Sequence, residues 1–179
     1  MKVTTGKFRV SYAQVFTPRA IEEGQEPKYS LTMLFDKDDP ALDPLKKAAK
    51  DAAHAKWGDK VPKNIRNPFR DGDEDSDQEA YKDKIFIRVS SKSKPGLVDK
   101  DRNAILEAED FYSGCYARAT VNSFAYDTAG NKGVSFGLNN IQKLADGERL
   151  DNRTAAEDDF DDYTGSTKAA SETDDDGMF

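Results

Sequence analysis

Residues 151–179 carry ten acidic and two basic side chains, a net charge of −8, and so polar a segment cannot gather the apolar surface that a packed core needs. The part of the chain that can fold is therefore 1–150, and about 150 residues bury one sizeable core but not comfortably two. We expect a domain at 1–150 and a disordered acidic protein-interaction tail at 151–179. The body holds 25 Lys and Arg against 24 Asp and Glu, so the whole-chain charge of −7 describes the tail and not the body. A near-neutral body with an anionic tether suits an anionic ligand, because the tail can occupy the ligand's groove when it is empty.

Several classes of function are excluded by what the chain lacks. Cys115 is its only cysteine and His54 its only histidine, which removes internal disulfides, Cys- and His-based metal sites and histidine triads. Only carboxylate, lysine or tyrosine chemistry remains for an enzyme, and no cofactor is implied. No apolar run is long enough to cross a membrane, and Met1–Thr4 lacks a signal-peptide core, so a cytoplasmic location is expected.

Strand patterns dominate the body. Phe8, Val10 and Tyr12 alternate with Lys7, Arg9 and Ser11 across 6–16, giving one apolar and one basic face. Tyr29, Leu31, Met33 and Phe35 mark a second strand, and further strands are expected at 84–91, 115–126 and 134–144, the last two joined by a turn over 127–133. From Pro40 to Trp57, Leu45, Ala49, Ala53 and Trp57 recur at helical spacing before Gly58, with His54 on the polar side. The stretch 58–80 reads as a long loop. At least five strands with a single α-helix predict a mainly β protein, an antiparallel five-stranded barrel, because a parallel sheet would need a helix between strand pairs.

The alternation at 84–94 points to function. Ile85, Ile87 and Val89 make a core face, leaving Lys84, Phe86, Arg88, Ser90, Lys92 and Lys94 opposite, a basic track of about 33 Å if the chain stays extended. A positive groove that follows the phosphates, with aromatic rings that stack on bases, is how single-stranded nucleic acid is held, at about 1–3 kcal/mol per stacked base. The alternative is a second core on that face. Lys7 and Arg9 on the first strand, Arg66, Phe69 and Arg70 in the loop, and Arg118 and Tyr126 on the fourth strand complete the candidate set, with Phe69 equally suited to clamp a strand or plug a core gap. The run Asp71–Asp77 alternates carboxylates as a calcium loop does, but Ser76 and Lys82 stand where that motif needs its glycine and glutamate. Asp174, Asp175, Asp176, Met178 and Phe179 form an acidic-apolar hook suited to a protein partner.

Together these features resemble the phage single-stranded-DNA-binding proteins of the OB-fold type. The resemblance is strongest to a phage early-protein family long labelled a domain of unknown function, with segments like 67–72 (NPFRDG), 87–93 (IRVSSKS) and 134–142 (VSFGLNNIQ). The stretch DDDGMF at 174–179 is similar to the DDDIPF ending of bacterial single-stranded-DNA-binding proteins. The resemblance implies a non-enzymatic coat for single-stranded DNA, with RNA a further possible ligand, that serves replication, recombination or repair and recruits partners through its tail. The other readings from the residues are a metal-dependent nucleic-acid enzyme using Asp71, Asp73, Asp75 and Asp77, and a replisome adaptor that binds protein only.

Overall fold

A computed structural model describes residues 2–20 and 23–150. One sheet contains eight strands: β1 (Lys2–Thr4), β2 (Phe8–Arg19), β3 (Lys28–Asp36), β4 (Arg70–Asp71), β5 (Lys84–Ser91), β6 (Gly96–Val98), β7 (Tyr116–Thr128) and β8 (Asn131–Ala145). Five of them close on themselves, in the order β7-β2-β3-β5-β8 and back to β7. The expected five-stranded ring is therefore present, with β1, β6 and β4 added to it as short flanking strands.

One seam of the ring corrects the all-antiparallel expectation. β5 and β8 run parallel, Val89 opposite Phe136 and Ser90 opposite Gly137, and β6 also joins β8 in parallel. A parallel pair needs a crossover of about a dozen residues or more, and a helix is only one way to make it. Here β6 and β7 lie in the connection from β5 to β8 and supply the length.

The inward side chains follow the strand alternation. Leu31, Met33 and Phe35 of β3, Ile87 and Val89 of β5, and Ala117, Ala119 and Val121 of β7 are all buried. On β8 the inward set is Val134, Phe136 and Leu138 and then Ile141, because a bulge between the Thr120–Asn140 and Val121–Leu138 pairs shifts the parity. β7 and β8 form a hairpin closed by Ala129 and Gly130, both at positive φ (49° and 85°), as a two-residue I′ turn requires.

Helix α1 (Leu42–Trp57) turns Leu42, Leu45, Ala49 and Ala53 to the core and packs against β7, β8 and β1. Gly58 stops it at φ 60°, its N–H donating to the His54 carbonyl at 2.8 Å. A four-residue helix, α2 (Gly72–Asp75), lies in the long loop. Among the described residues, no helix is long and apolar enough to cross a membrane.

Candidate nucleic-acid interface

The pairing of β5 with β8 covers Val89 and Ser90, and further back along β5 a different segment takes the neighbouring place. Arg66 N–H donates to the Lys132 carbonyl at 2.8 Å, and Val134 N–H donates to the Arg66 carbonyl at 3.3 Å. Four residues later, Arg70 and Asp71 pair with Phe86 and Ile85 of β5. Residues 66–71 are thus a wedge hydrogen-bonded on both sides, which places two arginines on the outer face of the ring. Gly133 makes room for it: a Cβ there would lie 2.6 Å from Tyr126 Oη and 2.9 Å from Arg66 Cβ.

In front of the wedge is a cleft of about 530 Å³. Five of the residues singled out in the sequence meet in it: Arg66, Arg70, Phe86, Arg88 and Tyr126. Arg19, Gln14, Gln78 and Tyr12 join them from β2 and the segment before β5. Arg88 is exposed and meets no carboxylate among the described residues. Arg66 spends one donor on the neutral Asn131 side chain at 3.2 Å, and Arg70 reaches Asp75 at 3.2 Å. The cleft therefore presents charge that its own walls only partly neutralise, the condition for attracting a polyanion.

Phe86 is less available than the alternation of β5 suggests. The Arg70 guanidinium stands 5.5 Å from its ring centroid and the Tyr81 ring 5.1 Å, so it belongs partly to a small outer core. Tyr81 anchors that core through a 2.7 Å hydrogen bond with Ser11, and burial pushes its phenol pKa up.

The exposed ring in the cleft is Tyr12, which the alternation of 6–16 assigns to the core. Ser11 pairs with Thr32, but the next pair is Gln14 with Ser30, so three residues of β2 advance against two of β3. The bulge turns Tyr12 outward, 54% exposed at φ 48°, while Ser11, still in register with Thr32, is buried beneath Tyr81 of the outer core. A bulky residue at positive φ is strained, and its Oη is held by Gln78 Nε2 at 2.6 Å. Phe124, 46% exposed, is a second ring missing from the candidate set; it lies 6.4 Å from Tyr126 on the same face of β7. Its signal in the sequence was an even face of β7 richer in aromatics than the core needed.

Other candidates lie elsewhere, and the continuous basic track along 84–94 does not form. Lys84 pairs with Asp36, β5 ends at Ser91, Lys92 is 3.6 Å from Glu26, and Lys94 stands 5.8 Å from the Phe16 ring centroid. Lys7 and Arg9 gather at Tyr116, 5.4 and 5.9 Å from its centroid, and Arg9 Nη2 donates to the Glu148 carbonyl at 2.7 Å. Arg118 Nε donates to Gln142 Oε1 at 2.7 Å. Phe69 sits edge-on to Phe136 with centroids 5.9 Å apart, the core-plugging placement. Asp174, Asp175, Asp176, Met178 and Phe179 lie outside the described residues.

The acidic run fastens the wedge. Lys37 Nζ lies 3.0 Å from Asp71 and 2.6 Å from Asp73. Asp71 caps α2 by accepting from the Asp73 amide at 2.8 Å, and Asp73 accepts from the Asp83 amide at 3.1 Å. The Asp73 amide first and then Lys37 lower the Asp71 pKa, while Lys37 leads in lowering that of Asp73. The two carboxylates raise the Lys37 pKa in return. Among the described residues, no three His, Cys, Asp or Glu side chains are grouped to hold a metal ion.

Comparison with known proteins bears on the family and the fold. The family model described as the single-stranded-DNA-binding protein of Enterobacter phage Enc34 matches residues 1–176. Putative protein p50 of Acyrthosiphon pisum secondary endosymbiont phage 1 is 31% identical, the match covering 92% of this chain and 95% of that protein. The single-stranded-DNA-binding protein from bacteriophage Enc34, solved in complex with single-stranded DNA, has a TM-score of 0.70 at 23% identity over 84% of this chain and 89% of its own. Gp2.5 of bacteriophage T7, a single-stranded-DNA-binding protein, has a TM-score of 0.59 at 14% identity over 93% and 98% of the two chains. The shared fold is that of the OB-fold-type phage proteins.

Proposed function

The chain belongs to the Enc34 phage family of single-stranded-DNA-binding proteins, and we propose that it holds single-stranded DNA in the cleft in front of the 66–71 wedge. The family and its solved relatives are binding proteins, not enzymes. The observation that carries the reading is the convergence of Arg19, Arg66, Arg70 and Arg88 with the exposed Tyr12 ring in one cleft. The arginines meet phosphates, Tyr12 takes a base on its face, and Phe124 and Tyr126 extend the aromatic surface along the β7–β8 hairpin. Every base has a π-face, so such contacts give little sequence preference. We further propose that the protein coats exposed strands during phage DNA replication, recombination or repair in the host cytoplasm. In this reading Asp174–Asp176, Met178 and Phe179 recruit replication or recombination proteins.

Titration of labelled oligo-dT, duplex DNA and RNA at several salt concentrations tests the reading. Oligo-dT is expected to bind far more tightly than duplex, with log affinity falling against log salt by about 0.7 per phosphate neutralised. Equal binding of duplex and single strand, or no binding at low salt, would overturn it. Tyr12→Ala is expected to weaken oligo-dT binding by about 1–2 kcal/mol at every salt concentration, since loss of a stack releases no counterion. A change of salt slope in that variant would instead assign Tyr12 an electrostatic part.

A further inference from the structure

The wedge has a second side. Between it and α1 runs a groove of about 1300 Å³, larger than the cleft. Arg66, Asn67, Pro68 and Arg70 line both, so only the crest of the wedge separates the two. The far wall of the groove is basic. Lys46 and Lys50, one helical turn apart on α1, stand exposed along it and meet no carboxylate among the described residues. Lys47, by contrast, lies outside the groove and is 3.1 Å from Asp51 on its own helix. Of the groove's acidic side chains, Asp71 is engaged by Lys37 and Asp75 by Arg70, which leaves Glu74 to set against the two ammonium groups. Between the walls lies an apolar floor of Val61, Ile65, Phe69 and Ile85, all half-buried.

A ligand that fits this groove carries anions in series with flat apolar faces between them, and single-stranded nucleic acid is built that way. A strand already held in the cleft reaches the groove as an intramolecular step, at the high effective concentration that its own continuity gives. We propose that the strand bound in the cleft continues over the crest at Asn67 and Pro68 into the groove, with Lys46 and Lys50 on its phosphates and its bases against Ile65 and Phe69. The wedge then stands inside a bend of the strand, and Arg66 and Arg70 face phosphates from both sides of it. Helix α1 becomes the second bank of the interface. This path rests on the cleft being the DNA site and extends that site beyond it.

The test compares the full chain with Lys46→Glu, Lys50→Glu and with a matched charge reversal, Lys56→Glu, Lys60→Glu, whose positions do not line the groove. All four lysines are exposed, so both variants are expected to keep the fold. Lengthening oligo-dT from about 5 to about 15 nucleotides, within the range that one OB fold covers, is expected to strengthen wild-type binding about tenfold more than binding of the groove variant. On the longer oligomer the groove variant is expected to lose about 1.4 in log–log salt slope, two phosphate contacts at about 0.7 each, while the matched variant keeps the wild-type slope. Photoreactive 5-iodouracil moved along the longer oligomer is expected to cross-link wild type at Tyr12 from some positions and at His54 or Phe69, which line the groove, from others. Equal losses in the two variants, an undiminished gain with length in the groove variant, or cross-links confined to the cleft would overturn the path over the crest and leave the cleft standing. A wild type that binds neither length would refute the cleft itself, and the path with it.

Discussion

Replacing Arg66 and Arg88 together by glutamate is expected to weaken oligo-dT binding about a hundredfold or more at low salt and to reduce the log–log salt slope by about 1.4, two phosphate contacts at about 0.7 each. Both side chains are exposed, and neither meets a carboxylate among the described residues, so the loss comes from the interface and not from a broken ion pair. The fold is expected to survive, because Arg66 holds the wedge through its backbone N–H and carbonyl. Charge reversal at Lys84 and Lys92, already facing Asp36 and Glu26, is expected to do much less. A double variant with wild-type circular dichroism and unchanged affinity and slope would remove the cleft from consideration.

The second large effect is expected at Gly133. Gly133→Val pushes a branched side chain into space held by Tyr126 Oη, which can swing aside, and by Arg66 Cβ, which is fixed by the paired backbone. Overpacking of this kind costs about 1–3 kcal/mol, and here the upper end is expected because the wedge must shift to accommodate it. Urea denaturation reads the stability loss and oligo-dT titration the loss of affinity that follows displacement of Arg66 and Tyr126. Gly137→Ala is the control: its Cβ would meet nothing nearer than 3.9 Å, so stability close to wild type is expected. Equal stability of the Gly133→Val variant and wild type would show that the wedge is not held as described.

What the sequence made legible was set by the range of the interactions involved. The inner faces of β3 and β5 follow period-two alternation because each side chain answers to the local pleat, although Ser30, Thr32 and Leu34 on the other face of β3 are buried too, and the helix end at Gly58 follows from a single local dihedral. Tyr12 was misplaced because one extra residue in β2 turns it outward, and nothing in the order Ser11-Tyr12-Ala13 announces a bulge. The basic track of 84–94 was overestimated because its neutralising partners, Asp36 and Glu26, come from distant positions that periodicity cannot place. The wedge was hidden for a similar reason. Its pairings with β5 and β8 are two residues or fewer each, too short to leave a strand pattern in so polar a stretch, yet they decide where Arg66 and Arg70 stand.

Closure of the ring also bears on how the molecule assembles in time. The β7–β8 hairpin is local and can form within about 1–10 μs, but the seam between β2 and β7 joins distant parts of the chain, as the bond from Arg9 to the Gly114 carbonyl across 105 positions shows. Long loops must close before such contacts return any free energy, which places folding of closed, non-local β topologies in the range of about milliseconds to seconds. On a ribosome the β2–β3 pair emerges long before β7 exists to cover the free edge of β2. During synthesis that edge, with its unpaired N–H and C=O groups, is the surface most open to a wrong strand from another chain.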